Sequence, residues 1–186
     1  MTVIAAISDG NRVYLGGDSA LSTDDHIFMS ADPKVFDRDG LVLGFCGTLR
    51  FGELIALTKL PPRAGKNLDL WVREDVCEAL RVTALRKGHD IADGEESEAI
   101  LGVGGQIYVI DPGPVAYRVR GSYAAIGSGA PFAEGALYAT QGSSMSITER
   151  LTTALEAAEQ HSASVRGPWE FAGFDRPRPI KKAKPR

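Results

Sequence analysis

The chain has 186 residues, 44% hydrophobic and 24% charged, which suits one domain with a sizeable core and excludes a disordered or fibrous class. No apolar run approaches the roughly 20 residues that span a bilayer, and the N-terminus MTVIAAISDGNR lacks the basic segment of a secretory signal, so a cytoplasmic protein is expected. The net charge of −3 hides an asymmetry, because six of the 21 bases follow Asp175 and leave 15 bases against 24 acids in residues 1–175.

The apolar, β-branched runs 2–7 and 12–16 flank Ser8-Asp9-Gly10-Asn11, which predicts a β-hairpin at the start of the chain. Residues 27–30 and 34–36 read as a second strand pair around Asp32-Pro33, followed by a strand at 41–46. From Thr48 the apolar period becomes helical through Leu49, Phe51, Leu54, Ile55 and Leu57, until Pro61-Pro62 ends it. A second helix is indicated by Leu70, Val72, Val76, Cys77, Leu80 and Ala84, closed by Gly88. After the polar, acidic loop 89–97, strands are expected at 98–103, 106–110, 115–119 and 123–126. Gly102-Val103-Gly104-Gly105 has the look of a phosphate loop, but it lies between two strands and reads as a hairpin turn. Two further helices follow, at about 131–141 and from Ser146, where Ser146 and Glu149 have capping-box spacing.

The order strands, helices, strands, helices predicts an α+β class fold. Each strand block can form one sheet, with one face on the other sheet and one under helices, giving a four-layer α-β-β-α sandwich with two mainly antiparallel sheets. Residues 1–175 form the expected domain. The Pro-containing basic tail 176–186 is expected to be disordered in isolation and solvated, although it could touch nucleic acid or an acidic partner. Cys46 and Cys77 have no metal-ligand spacing and read as buried thiols. His26, His89 and His161 are scattered, with no triad or metal spacing around them.

Thr2 carries a different kind of signal. A small second residue permits removal of Met1 by methionine aminopeptidase, which would place a hydroxyl and a free α-amine on one residue. An amine with a reference pKa of about 7.7–8.0 is then a base within reach of a weak nucleophile. A threonine at position 2 is also common, and an ordinary strand residue is the plain alternative. Asp18, Lys34, Gly47 and Ser128 have plain alternatives too, as a turn cap, a solvated charge and turn residues.

Five segments together resemble a known family. Thr2-Val3-Ile4-Ala5, Gly16-Gly17-Asp18-Ser19, Lys34-Val35-Phe36, Gly44-Phe45-Cys46-Gly47 and Ala125-Ile126-Gly127-Ser128-Gly129 are similar, in order, to motifs of proteasome β subunits and the bacterial HslV-type peptidase. These belong to the N-terminal-nucleophile (Ntn) hydrolases. Thr2 stands 16 residues before Asp18 and 32 before Lys34, as the family pattern requires, and the resemblance covers roughly residues 2–160.

The resemblance implies a threonine endopeptidase. Thr2 would attack, its α-amine would take the proton, Lys34 would favour alkoxide character and Asp18 would hold Lys34. The backbone N–H of Gly47 would face the oxyanion, and Ser128 would hydrogen-bond the terminal amine. It also implies polypeptide substrates, a homo-oligomeric ring, an AAA+ unfoldase as partner and no cofactor in the bond-breaking step. Membranes and nucleic acid are not expected partners. Two departures stand out. Where the family carries an Asp near the terminal amine, this chain reads Ala157-Ala158-Glu159-Gln160-His161-Ser162, with Gln160 closest to the position, and the basic tail is an addition. Two alternatives are a non-catalytic shell or adaptor subunit and a small-molecule amidohydrolase on the same scaffold.

Overall fold

The computed structural model describes residues 2–22, 25–88 and 97–174; the basic tail, His89 and most of the acidic loop lie outside the described residues. Chain order gives β1 (Ile4–Ser8), β2 (Val13–Asp18), β3 (Ala20–Ser22), β4 (Ile27–Met29), β5 (Val35–Arg38), β6 (Leu41–Cys46) and α1 (Leu49–Leu57). A long helix, α2, covers 68–86, and its second turn, Trp71–Val76, is π-helical. Then come β7 (Glu98–Val103), β8 (Gln106–Ile110), β9 (Ala116–Arg118), β10 (Tyr123–Ile126), α3 (Ala130–Ala139), α4 (Ile147–His161) and β11 (Trp169–Ala172).

Three antiparallel sheets result, in the orders β10-β1-β2-β11, β3-β4 and β5-β6-β7-β8-β9. Their packing gives the four-layer α-β-β-α sandwich that the sequence predicts. Alternate residues of one strand feed two cores: Val3, Ala5 and Ile7 pack under α3 and α4, whereas Ile4 and Ala6 pack between the sheets. That is why β1 reads as an unbroken apolar run instead of an alternating one. A third core joins Leu43, Leu101 and Tyr108 of the five-stranded sheet to Ile55, Val72 and Leu80 of α1 and α2. Each fully buried Ile or Leu there contributes about 1.5–3 kcal/mol.

Helix α4 shows how local signals were honoured. Its Ser146–Glu149 capping box is complete, and Leu151, Ala154, Leu155 and Ala158 form the buried stripe. Gly104 and Gly105 form the two-residue turn of the β7–β8 hairpin, with Val103 opposite Gln106.

Strand partition differs from the sequence reading in two ways. The expected pairing of 27–30 with 34–36 does not form: β4 pairs with β3, and β5 pairs with β6 in another sheet. Nor does each strand block make its own sheet, because β10 joins β1 and β7 joins β6. The cause is long-range pairing, which local periodicity does not encode. Strand β11, unforeseen, closes the first sheet against β2.

Candidate active site

Five strand ends meet at one mouth of the sandwich: the start of β1, the end of β6, the start of β7, the end of β8 and the end of β10. Thr2 sits there, 3% exposed, immediately before the first buried strand. Asp18 ends β2 and Lys34 precedes β5, and both are buried beside it, at 0% and 2% exposure.

Lys34 is the centre of the cluster. Its Nζ donates to Thr2 Oγ1 at 2.8 Å, to both carboxylate oxygens of Asp18 at 3.1 Å, and to the carbonyl of Ala20. An ammonium has three N–H donors and no acceptor, so these partners fit the protonated amine. Burial pulls the Lys34 pKa down from its ordinary value, and the adjacent Asp18 carboxylate opposes that pull. Burial likewise pushes Asp18 up, against the lowering influence of Lys34 and of the Val3 N–H, which donates to Asp18 Oδ1 at 3.0 Å. The pair is therefore fixed from three backbone segments at once.

The turns around Thr2 are built for close approach. Gly127 has φ +87, and a Cβ on it would stand 2.3 Å from the Thr2 carbonyl oxygen. Gly129 N–H donates to that same oxygen at 3.2 Å, and Ser128 Oγ donates to it at 3.4 Å. A hydroxyl that donates to the Thr2 carbonyl keeps lone pairs for the amine of the same residue. Gly47, at φ +91, makes the turn between β6 and α1, where Thr48 caps the helix by accepting from Phe51 N–H. Its turn leads directly into a cleft of about 510 Å³, lined in part by Thr2, Gly47, Gly127 and Ser128.

The five residues singled out from the sequence thus converge at one place. Sequence reasoning missed the Ala20 carbonyl, the Val3 N–H and Glu170, whose Oε2 accepts the backbone N–H of Lys34 at 3.3 Å. Glu170 lies on β11, beyond the stretch of resemblance, so no motif pointed to it. Gln160 is exposed at the end of α4 among Glu156, His161 and Arg166. Nearby, the Ser162 and Ser164 hydroxyls lie 3.4 Å apart, with Ser164 buried.

Both cysteines are buried, as read from the sequence. Cys46 lines the cleft, and burial pushes its thiol pKa up to about 12. His26 is exposed and stacks 6.1 Å from Phe28, and His161 lies 5.2 Å from Phe132. Among the described residues no helix is long and apolar enough to cross a membrane.

The fold is the one that solved HslV and proteasome-like structures share. Solved structures with this fold include BPH from Thiobacillus denitrificans in complex with epoxomicin, at TM-score 0.72 and 16% identity over 91% of this chain and 96% of that one. HslV from Trypanosoma brucei matches at TM-score 0.69 and 20% identity, covering 92% and 99% of the two chains. Anbu from Yersinia bercovieri, described as an ancestral β-subunit, matches at 0.67 and 14%, covering 91% and 79%. No protein-family model matches the chain, and no curated protein is significantly similar to it in sequence.

Proposed function

We propose that the chain is a threonine endopeptidase in which Thr2, freed of Met1, is the nucleophile. The observation that carries this is the contact of 2.8 Å between Lys34 Nζ and Thr2 Oγ1, made by a buried ammonium that Asp18 holds in place. In the proposed reaction the α-amine of Thr2 takes the hydroxyl proton, directly or through a water, as Oγ1 attacks the peptide carbonyl. Lys34 stabilises negative charge on Oγ1. The Gly47 N–H and its turn receive the oxyanion, and the proton passes from the amine to the leaving nitrogen. Water then enters by the same route and releases the acyl group from Thr2. Ser128 orients the amine. None of these steps needs a cofactor.

The resemblance and the fold support a cytoplasmic, self-compartmentalised ring of identical chains fed by an AAA+ unfoldase. Ile27, Phe28 and Met29 on the β3–β4 hairpin are 41–57% exposed and offer apolar area for subunit contacts. A competing reading, a subunit that keeps the fold without the reaction, draws on Gln160, the exposed residue closest to where the family carries an Asp. Lys34→Ala decides between them. The peptidase reading expects wild-type protein to cleave peptides and the variant to assemble normally but lose at least about a thousandfold in kcat/KM. Equal rates in the two proteins reject the site, and no turnover by either favours the non-catalytic subunit.

A further inference from the structure

The described side chains that line the cleft beside Thr2 carry charge of one sense only. Glu98 opens β7 opposite Cys46, and Asp111 follows the last residue of β8. Strand alternation puts Glu98 on the face of Ile100, and Asp111 on the face of Val109. Cys46, Ile100 and Val109 all belong to the core between the sheets. Both carboxylates are therefore set on the inter-sheet side, at the edge where it opens beside Thr2.

Both line the cleft, and among the described residues no Lys, Arg or His does. The neighbouring Lys34 is not part of the lining, and its charge is matched by Asp18. Neither Glu98 nor Asp111 has an ion-pair partner among the described residues. The contact made by Glu98 is with the Cys46 thiol, 3.8 Å from Oε2, which stays protonated and brings no compensating charge. Tyr117 registers the same field: its phenol is pushed up by burial, then by Glu98, Asp111 and Glu134. A half-buried wall of two carboxylates with no ion-pair partner among the described residues favours a cation in the space between them.

We propose that Glu98 and Asp111 make this cleft a specificity pocket for a Lys or Arg side chain on the substrate residue flanking the scissile bond. The assignment rests on the peptidase reading above. A volume of about 510 Å³ accommodates one long side chain. Its guanidinium or ammonium would reach the carboxylates, while its stem lies along Cys46 and Pro112. An acidic or apolar side chain would leave both carboxylates desolvated without a partner, which is a penalty that discriminates more strongly than apolar fit.

The test uses the full-length protein, a library of unstructured peptides with cleavage sites read by mass spectrometry, and matched peptides differing only in Lys or Leu at the flanking position. Lys and Arg should dominate beside the cleaved bonds. In Glu98→Gln/Asp111→Asn the Lys-to-Leu ratio of kcat/KM should fall by on the order of 100-fold, about tenfold per charge. Raised salt should lower that ratio in the wild type. Cleavage beside apolar residues, or a ratio unchanged in the double variant, overturns the assignment while leaving the peptidase reading standing. No cleavage of any peptide, together with no epoxomicin adduct on Thr2, overturns both.

Discussion

The Lys34–Asp18 pair at the mouth of the sandwich and the Arg81–Glu78 pair on the outside of α2 have similar separations, 3.1 and 2.6 Å, in opposite settings. The inner side chains are 3% and 0% exposed, the outer ones 52% and 55%. Outside, water screens the charges and the partners are replaceable. Inside, desolvation works against both ions, and only mutual attraction, the Ala20 carbonyl and the Val3 N–H hold them charged. The ammonium so held donates to the hydroxyl of Thr2 at 2.8 Å.

Removing one member of the inner pair should break this contrast most severely. Asp18→Asn leaves Lys34 buried without its counter-charge, and chemical denaturation should show a loss of about 3–5 kcal/mol along with loss of peptidase activity. Next comes the turn that carries Thr2. Gly127→Ala adds a Cβ 2.3 Å from the Thr2 carbonyl oxygen at a φ of +87, so melting and kinetics should both show damage, at least about 1–2 kcal/mol in stability. Arg81→Ala on the outer face should leave the melting midpoint and the activity unmoved; a drop comparable to that of Asp18→Asn would remove the distinction between the two regions.

The pH profile sharpens the same comparison. The amine of Thr2 is useless as a base while protonated, so the rate should rise with pH as that amine loses its proton. Lys34 is useful only while protonated, and burial holds its pKa below 10.5, so the rate should fall again on the alkaline side below that value. Glu170 raises the Lys34 pKa through its charge. Glu170→Gln should therefore shift the alkaline limb to lower pH, with a smaller effect on the acid limb.

What could be read from the sequence was local or was fixed in register. The Ser8–Asn11 turn, the α4 capping box and the apolar stripe Leu151, Ala154, Leu155 and Ala158 depend on neighbours within a few residues, and they form as expected. Spacing brought Thr2, Asp18 and Lys34 together because β1 and β2 are one hairpin and Lys34 enters the strand beneath it. Which strands share a sheet was not legible. β10 and β1 lie more than a hundred residues apart, and nothing in YAAI or IAAI names its partner. Glu170 was hidden for the same reason: its contact with Lys34 spans 136 residues and exists only once β11 has paired with β2. The acidic wall of the cleft likewise needs the β6–β7 and β8 registers before Glu98 and Asp111 face one space.

In the proposed mechanism residue 2 presents both its hydroxyl and its own amine to the substrate. Intact-mass and peptide-level spectra of the purified protein, alone and after incubation with an inhibitor directed at N-terminal threonine, are the measurement that tests this. A chain lacking Met1 should gain one inhibitor mass on Thr2, with no gain in Thr2→Ala. Peptidase activity in protein that retains Met1 throughout, or an adduct on any other residue, would contradict it.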